Sequence, residues 1–264
     1  MKKVLISHEV PFCLLEQSKE FNDYQYALVH LLEENEEYRK HFIQCRDEGI
    51  PIYLDNSLHE KGYAIGGDIL LKWINILEPE CIFVPDVWED YTASVRNAKL
   101  WSKIELPEGV TKVAVVQAKS LHEAYLCVQS YKDFGYKKIA FSYGAQHYHD
   151  LAPHPDKDFG KAIGRYMVLS QMYEDKLLLP TDRVHLLGTA NPIEFGLYKN
   201  IKCIESIDTS NPIMAGVEKR MYHQLGISPK PVANMNKYQD VSEDFIETEL
   251  IEYNVRKFRE INGL

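Results

Sequence analysis

Apolar residues along the chain fall into two alternating patterns. Short runs of four to six mostly apolar residues, closed by polar residues, Gly or Pro, occur at Lys3–Ser7, Ile50–Asp55, Cys81–Pro85, Lys112–Gln117, Lys137–Phe141, Arg183–Leu187 and Cys203–Ile207. Such runs are the mark of strands buried on both faces of a parallel sheet. Between them lie longer stretches with apolar residues three and four apart, the spacing of one helix face. Gly67–Leu77 carries Ile69, Leu70, Trp73, Ile74 and Leu77, and Phe159–Lys176 and Ile193–Lys199 are further helical stretches. Tyr24–Phe42 reads as a helix too, with Tyr26, Ala27, Val29, Leu31 and Leu32 on its apolar side. Ser120-Leu-His-Glu123 is a capping box, in which a serine oxygen takes a free amide and the glutamate reaches back. Gly135 ends the helix it opens. Asp240–Asn262 is a strongly amphipathic C-terminal helix with Asp240 and Glu243 as its capping box.

Strand–helix units recurring about every 30 residues predict a mainly parallel α/β sheet. A doubly wound open sheet would carry a glycine-rich first turn, and Ser7-His8-Glu9-Val10-Pro11-Phe12 has no glycine. A single (β/α)8 TIM-type barrel over residues 1–264 fits better. Its weak point is the eighth strand. Ile213–Val217 and Val232–Asn236 are both poor candidates, so an irregular eighth unit is expected.

Composition narrows the classes. The chain has 264 residues, is 45% apolar and 26% charged, and carries a net charge of −9. That is globular composition, and the charge argues against a non-specific nucleic-acid coat. Five cysteines at 13, 45, 81, 127 and 203 form no closely spaced pair, which reads as reduced thiols in a cytoplasmic chain. No apolar stretch is long enough for a membrane span, and no cofactor motif is present.

In a barrel, chemistry gathers where the strands end. The runs end in Asp55-Asn56-Ser57, Asp86, Gln117, Ser142-Tyr143-Gly144, Gly188 and Asp208. Each Asp alone reads equally well as a helix N-cap. Three at matching strand ends, with no cation beside them in sequence, suit a polar site better.

These segments, in this order over residues 50–216, resemble the tRNA-guanine transglycosylase superfamily, in particular its phage and bacterial DNA-modifying branch. Asp55-Asn56-Ser57 is similar to its Asp-Ser-Gly-Gly motif, Glu80-Cys-Ile-Phe-Val-Pro-Asp86 to its second aspartate strand, and Val116-Gln117 to its Val-Gln-Gly. Ser142-Tyr143-Gly144 stands where a glycine-rich turn belongs, Gly188…Pro192…Glu194 resembles Gly-x-x-x-Pro-Glu, and Asp208 followed by Pro212 resembles the nucleophile segment. The resemblance implies a pentosyltransferase that exchanges guanine for a 7-deazaguanine-type base. Asp208 would be the nucleophile and Asp55 the proton shuttle. Asp86 and Gln117 would read the base, with Asn56, Ser142, Tyr143, Gly144 and Gly188 around it. In the family three closely spaced cysteines and a later histidine that hold zinc follow the nucleophile; here Cys203 precedes Asp208 and no cysteine follows it, so no metal is expected and DNA is favoured over tRNA as partner. Ser57 and Leu58 replace the paired glycines, so the backbone there is expected to keep its distance from a ligand.

Other features weigh less. Gln146-His147-Tyr148-His149 with His154 has metal-ligand residue types, but Pro153 and Pro155 make a polar loop the better reading. Glu60 could approach the site or sit on a solvated helix start. Glu205, three residues before Asp208, faces away from it by strand alternation. Arg256-Lys257-Phe258-Arg259 and Lys219-Arg220 read as solvated faces before phosphate contacts, and Trp73, Trp88 and Trp101 as packing. Two other readings stay open: an N-glycoside hydrolase or lyase on a small nucleoside or nucleotide, and a non-catalytic nucleic-acid- or ligand-binding barrel.

Overall fold

A computed structural model describes residues 3–227, 231 and 235–264. Eight parallel strands follow one another around a nearly closed barrel: β1 (Leu5–Ser7), β2 (Gln25–Leu28), β3 (Ile52–Asp55), β4 (Cys81–Phe83), β5 (Thr111–Val116), β6 (Lys138–Ser142), β7 (Arg183–Leu187) and β8 (Ile204–Asp208). Each pairs in parallel with its sequence neighbour from β2 to β8, and β8 pairs with β1, Ser7 lying opposite Asp208. The fold is the TIM-type barrel that the alternating pattern predicts.

The expected helix Tyr24–Phe42 divides. Gln25–Leu28 is the missing strand, followed by helices Val29–Glu34 and Glu36–Asp47. The continuous apolar stretch suits either element, and pairing of Gln25–Leu28 with Ile52–Asp55 decides it. Ile213–Val217 is instead part of a buried helix, Asn211–Val217. Val232–Asn236 lies partly outside the described residues, and its described end opens the helix Met235–Tyr238. The amphipathic segment near the C-terminus is helical over Thr248–Asn262, with Glu247 at its N-cap and no capping box at Asp240. Ile193–Lys199 forms a 3₁₀ turn, Glu194–Asn200.

Between β1 and β2 side chains do the work of a ladder. The Asp23 amide donates to Ile6 O at 2.8 Å, and the Asp23 carboxylate accepts from the Ile6 amide at 3.0 Å. Asn22 brackets His8 in the same way, accepting its N–H at 2.7 Å and donating to its carbonyl at 3.0 Å. Lys3 and Arg259 hold Asp23 from outside, at 2.6 and 3.3 Å.

Between β7 and β8 the register slips. Val184 lies opposite Ile204 but His185 opposite Ser206, so Glu205 is the extra residue of a bulge. Glu205 binds Arg183 at 2.8 Å and Lys138 at 3.1 Å, low in the barrel and away from Asp208. Trp73 and Trp101 are packed in the core. The basic clusters are neutralised locally: Arg259 on Asp23, Lys257 on Glu260, Arg256 on Glu252 and Arg220 on Glu218. Among the described residues no helix is long and apolar enough to cross a membrane.

Candidate active site

The C-terminal strand ends enclose a cavity of about 160 Å³. That is smaller than the ~300–1,000 Å³ usual for drug-sized ligands, and suits a single ring system. Of the strand-end residues singled out above, all but Ser57 and Gly144 line it: Asp55, Asn56, Asp86, Gln117, Ser142, Tyr143, Gly188 and Asp208. Gly144 lies behind Trp88; a Cβ there would stand 2.6 Å from the indole, so only glycine lets Trp88 close that wall.

Asp55 ends β3. Its Oδ2 accepts from the Tyr26 hydroxyl at 2.8 Å and its Oδ1 from the Ser57 amide at 2.6 Å. Ser57 adopts φ 64, the left-handed conformation that normally favours glycine. Ser57 thus takes a glycine-like conformation without being glycine. The Asp55 carboxylate and the His30 amide, which donates to Ser57 Oγ at 3.2 Å, hold the serine in it. This turn starts the short helix Leu58–Lys61, which brings His59 and Glu60 to the cavity.

Asp86 is the hub of a buried polar network. Asn56 Nδ2 and Gln117 Nε2 each donate to one of its oxygens at 2.7 Å. Asn56 also bonds Val84 O and the Leu58 amide, and Gln117 Oε1 accepts from the Glu89 amide. Both amides are thus fixed in orientation. Gln117 keeps a second N–H, and each Asp86 oxygen keeps a lone pair.

Asp208 ends β8 in the opposite wall. Its Oδ1 lies 2.9 Å from His185 Nε2, within hydrogen-bond distance, and the Gly188 amide lies 3.3–3.4 Å from its two oxygens. Gly188 has φ +61, and a Cβ on it would meet Tyr143 at 2.4 Å. Arg165, fully buried, places that glycine: its guanidinium donates to Phe141 O, Leu187 O and Gly188 O, and pairs with buried Glu194 at 2.6 Å.

Electrostatically the cavity is one-sided. Glu9, Asp55, Glu60, Asp86 and Asp208 line it, and its described lining includes no Lys or Arg. Burial pushes Asp55, Glu60, Asp86 and Asp208 each up to about 7. Burial and then the charges of Glu60, Asp208 and Asp55 hold Glu9 well above the carboxylate range. Like charges in one desolvated space cannot all ionise together. Near neutral pH the site therefore holds carboxylic acids and carboxylates side by side.

The strand-end reading missed several lining residues. Glu9 follows β1 by the same rule, and Tyr26 is hidden by the misread strand. Trp88 is 40% exposed and lines the cavity instead of packing in the core. The 146–149 segment is a helical turn, Gln146–Leu151, and not a loop. Among the described residues no group of three or more His, Cys, Asp or Glu is placed to hold a metal ion.

No protein-family model matches the chain, and no curated protein matches it either.

Proposed function

We propose that this chain exchanges a nucleobase at the glycosidic carbon of a nucleotide, replacing guanine by a 7-deazaguanine-type base in nucleic acid, with DNA the favoured polymer. The observation that carries this reading is the division of labour in one base-sized cavity. Asp208 and Asp55 stand at different strand ends, each held by its own donors, and Asp86 sits among two oriented amides.

The chemistry follows from those partners. One Asp208 oxygen attacks C1′ while the bond from C1′ to the base nitrogen breaks. The electron pair leaves with the base, which takes a proton from Asp55. The incoming base then gives its N–H proton to the Asp55 carboxylate, its lone pair forms the new bond to C1′, and Asp208 leaves. Proton occupancy near neutrality on both carboxyls suits this exchange, since one must be charged while the other is protonated. The lone pairs of Asp86 accept from the N–H groups of a purine's Watson–Crick edge, and Gln117 gives the remaining N–H to a carbonyl. Tyr143 and Trp88 wall the ring faces. A base in a duplex would have to be flipped out to enter.

A second reading is favoured by one observation. Without a Lys or Arg in the described lining, phosphates gain nothing inside the cavity, which suits a neutral nucleoside. The same experiment separates the two. Wild type and Asp208→Asn are incubated with single-stranded DNA, duplex DNA, tRNA and free guanosine or deoxyguanosine, with and without a 7-deazaguanine base. A denaturation-stable adduct is then sought by intact mass. The base-exchange reading expects an adduct with a polymer in wild type and none in Asp208→Asn. An adduct with a nucleoside alone establishes the second reading, and none with any substrate overturns both.

A further inference from the structure

We propose that His185 is the positioning residue of Asp208, a neutral imidazole that pins Oδ1 by its Nε2–H and so leaves Oδ2 as the reacting oxygen. This deepens the base-exchange reading and rests on it for its kinetic consequence. His185 lies in the middle of β7, fully buried, and does not line the cavity. Its two ring nitrogens are both engaged: Nε2 on Asp208 Oδ1 at 2.9 Å and Nδ1 on Ser206 Oγ at 2.8 Å. With Asp208 as a carboxylate, Oδ1 can only accept, so Nε2 carries the hydrogen. A neutral ring must then accept at Nδ1, and the Ser206 hydroxyl supplies that donor.

The surroundings keep the ring neutral. Burial lowers its basicity well below the usual histidine range, Lys138 and Arg165 lower it further, and Glu205 opposes them. Phe83, Tyr53 and Tyr26 pack on it, with ring centres at 5.0, 6.0 and 6.4 Å. The bulge at Glu205 makes the contact, since it sets Ser206 opposite His185 in place of the residue a regular ladder would supply. Ser206, His185 and Asp208 have the residue types of a hydrolytic triad in the wrong order of access. Ser206 is fully buried and does not line the cavity, while Asp208 does.

Pinning one oxygen makes the two half-reactions unequal. In the glycosyl ester Oδ1 becomes the carbonyl oxygen and stays on His185. When the incoming base forms its bond to C1′, the C1′–Oδ2 pair returns to Asp208. The Nε2–H then stabilises the negative charge that appears. A hydrogen bond to a charged oxygen is stronger than one to an ester oxygen, so this contact favours release of the ester more than its formation.

The test compares His185→Phe, which removes the donor and keeps a ring, with His185→Gln, which can still donate. Ser206→Ala serves if the phenylalanine variant does not fold. The Asp208 carboxyl is titrated by ¹³C NMR, assigned by its loss in Asp208→Asn, and the protonated ring nitrogen is read by ¹⁵N NMR. We expect Nε2–H in the wild type, a rise of about one unit in the Asp208 midpoint in His185→Phe, and near-wild-type behaviour in His185→Gln. Ser206→Ala should shift the midpoint the same way but less. With substrate, His185→Phe should accumulate the covalent adduct roughly tenfold. A protonated Nδ1 with bare Nε2, or an unmoved midpoint in His185→Phe, overturns the proposal. The titrations need no substrate. They judge His185 even if wild type forms no adduct, the outcome that would overturn base exchange itself.

Discussion

Asp208→Asn should make the fold more stable at pH 8, and by less than half as much at pH 5. Asp208 is 6% exposed, and burial lifts it from 3.8 to about 7. Between those values the folded protein holds a proton that the unfolded chain has shed, so stability falls as pH rises through that window and stays low above it. Three units at about 1.4 kcal/mol each set a ceiling of about 4 kcal/mol. The cavity is open to water, and neighbouring carboxyls share the same repulsion, so about 2 kcal/mol is the working figure. Asparagine keeps an oxygen for the His185 N–H and carries no charge. For a chain of this size about 2 kcal/mol corresponds to a rise of roughly 4–8 °C in melting temperature. The assay is thermal unfolding of wild type and variant at pH 5 and pH 8 at one ionic strength. Reading the variant against wild type at each pH cancels the carboxylates outside the cavity, including those whose acidity is raised, such as Asp23 and Glu33. An equal shift at both pH values, or a less stable variant at pH 8, would refute the claim that Asp208 is held against its own charge.

Two further expectations follow from single contacts. Arg165→Met leaves Glu194 charged and buried without its partner and frees the Gly188 carbonyl; urea unfolding should show a loss of about 3–5 kcal/mol. Asp23→Ala orphans the Ile6 amide and releases Lys3 and Arg259. It should cost about 1–3 kcal/mol, with faster hydrogen exchange at Ile6 than at amides in β5.

How much of this was legible in the sequence differs by element. Strands buried on both faces announce themselves as short apolar runs, so seven were readable. Gln25–Leu28 was not, because it runs without a break into Val29–Leu32 and a helix face absorbs both. Hiding that strand hid Tyr26 and so the hydroxyl on Asp55. Asp55, Asp86, Gln117 and Asp208 were legible because a polar residue closing an apolar strand needs a polar site. His185 was not, since one histidine inside Arg-Val-His-Leu-Leu does not interrupt a buried run. Its role depends on a bulge that alternation cannot foresee; the same bulge gives Glu205 its partners. The left-handed Ser57 shows a different limit: a missing glycine argues against a conformation only where nothing nearby compensates.

The joint between β1 and β2 bears on how the molecule comes to exist. Asp23 is gripped by Arg259, 236 positions away, and the Thr209 amide bonds Ser7 O across the neighbouring joint. A chain emerging from the ribosome can fold β2 to β7 in order, each strand docking on the one before. The ladder between β1 and β8 must wait for β8, and the grip of Arg259 on Asp23 for the helix at 248–262. Asp208 gains its neighbour Ser7 only at that step, so the carboxylate pair at the heart of the cavity is assembled late. A nascent chain stalled before residue 208 would carry Asp55 and Asp86 on a growing sheet with no opposing wall.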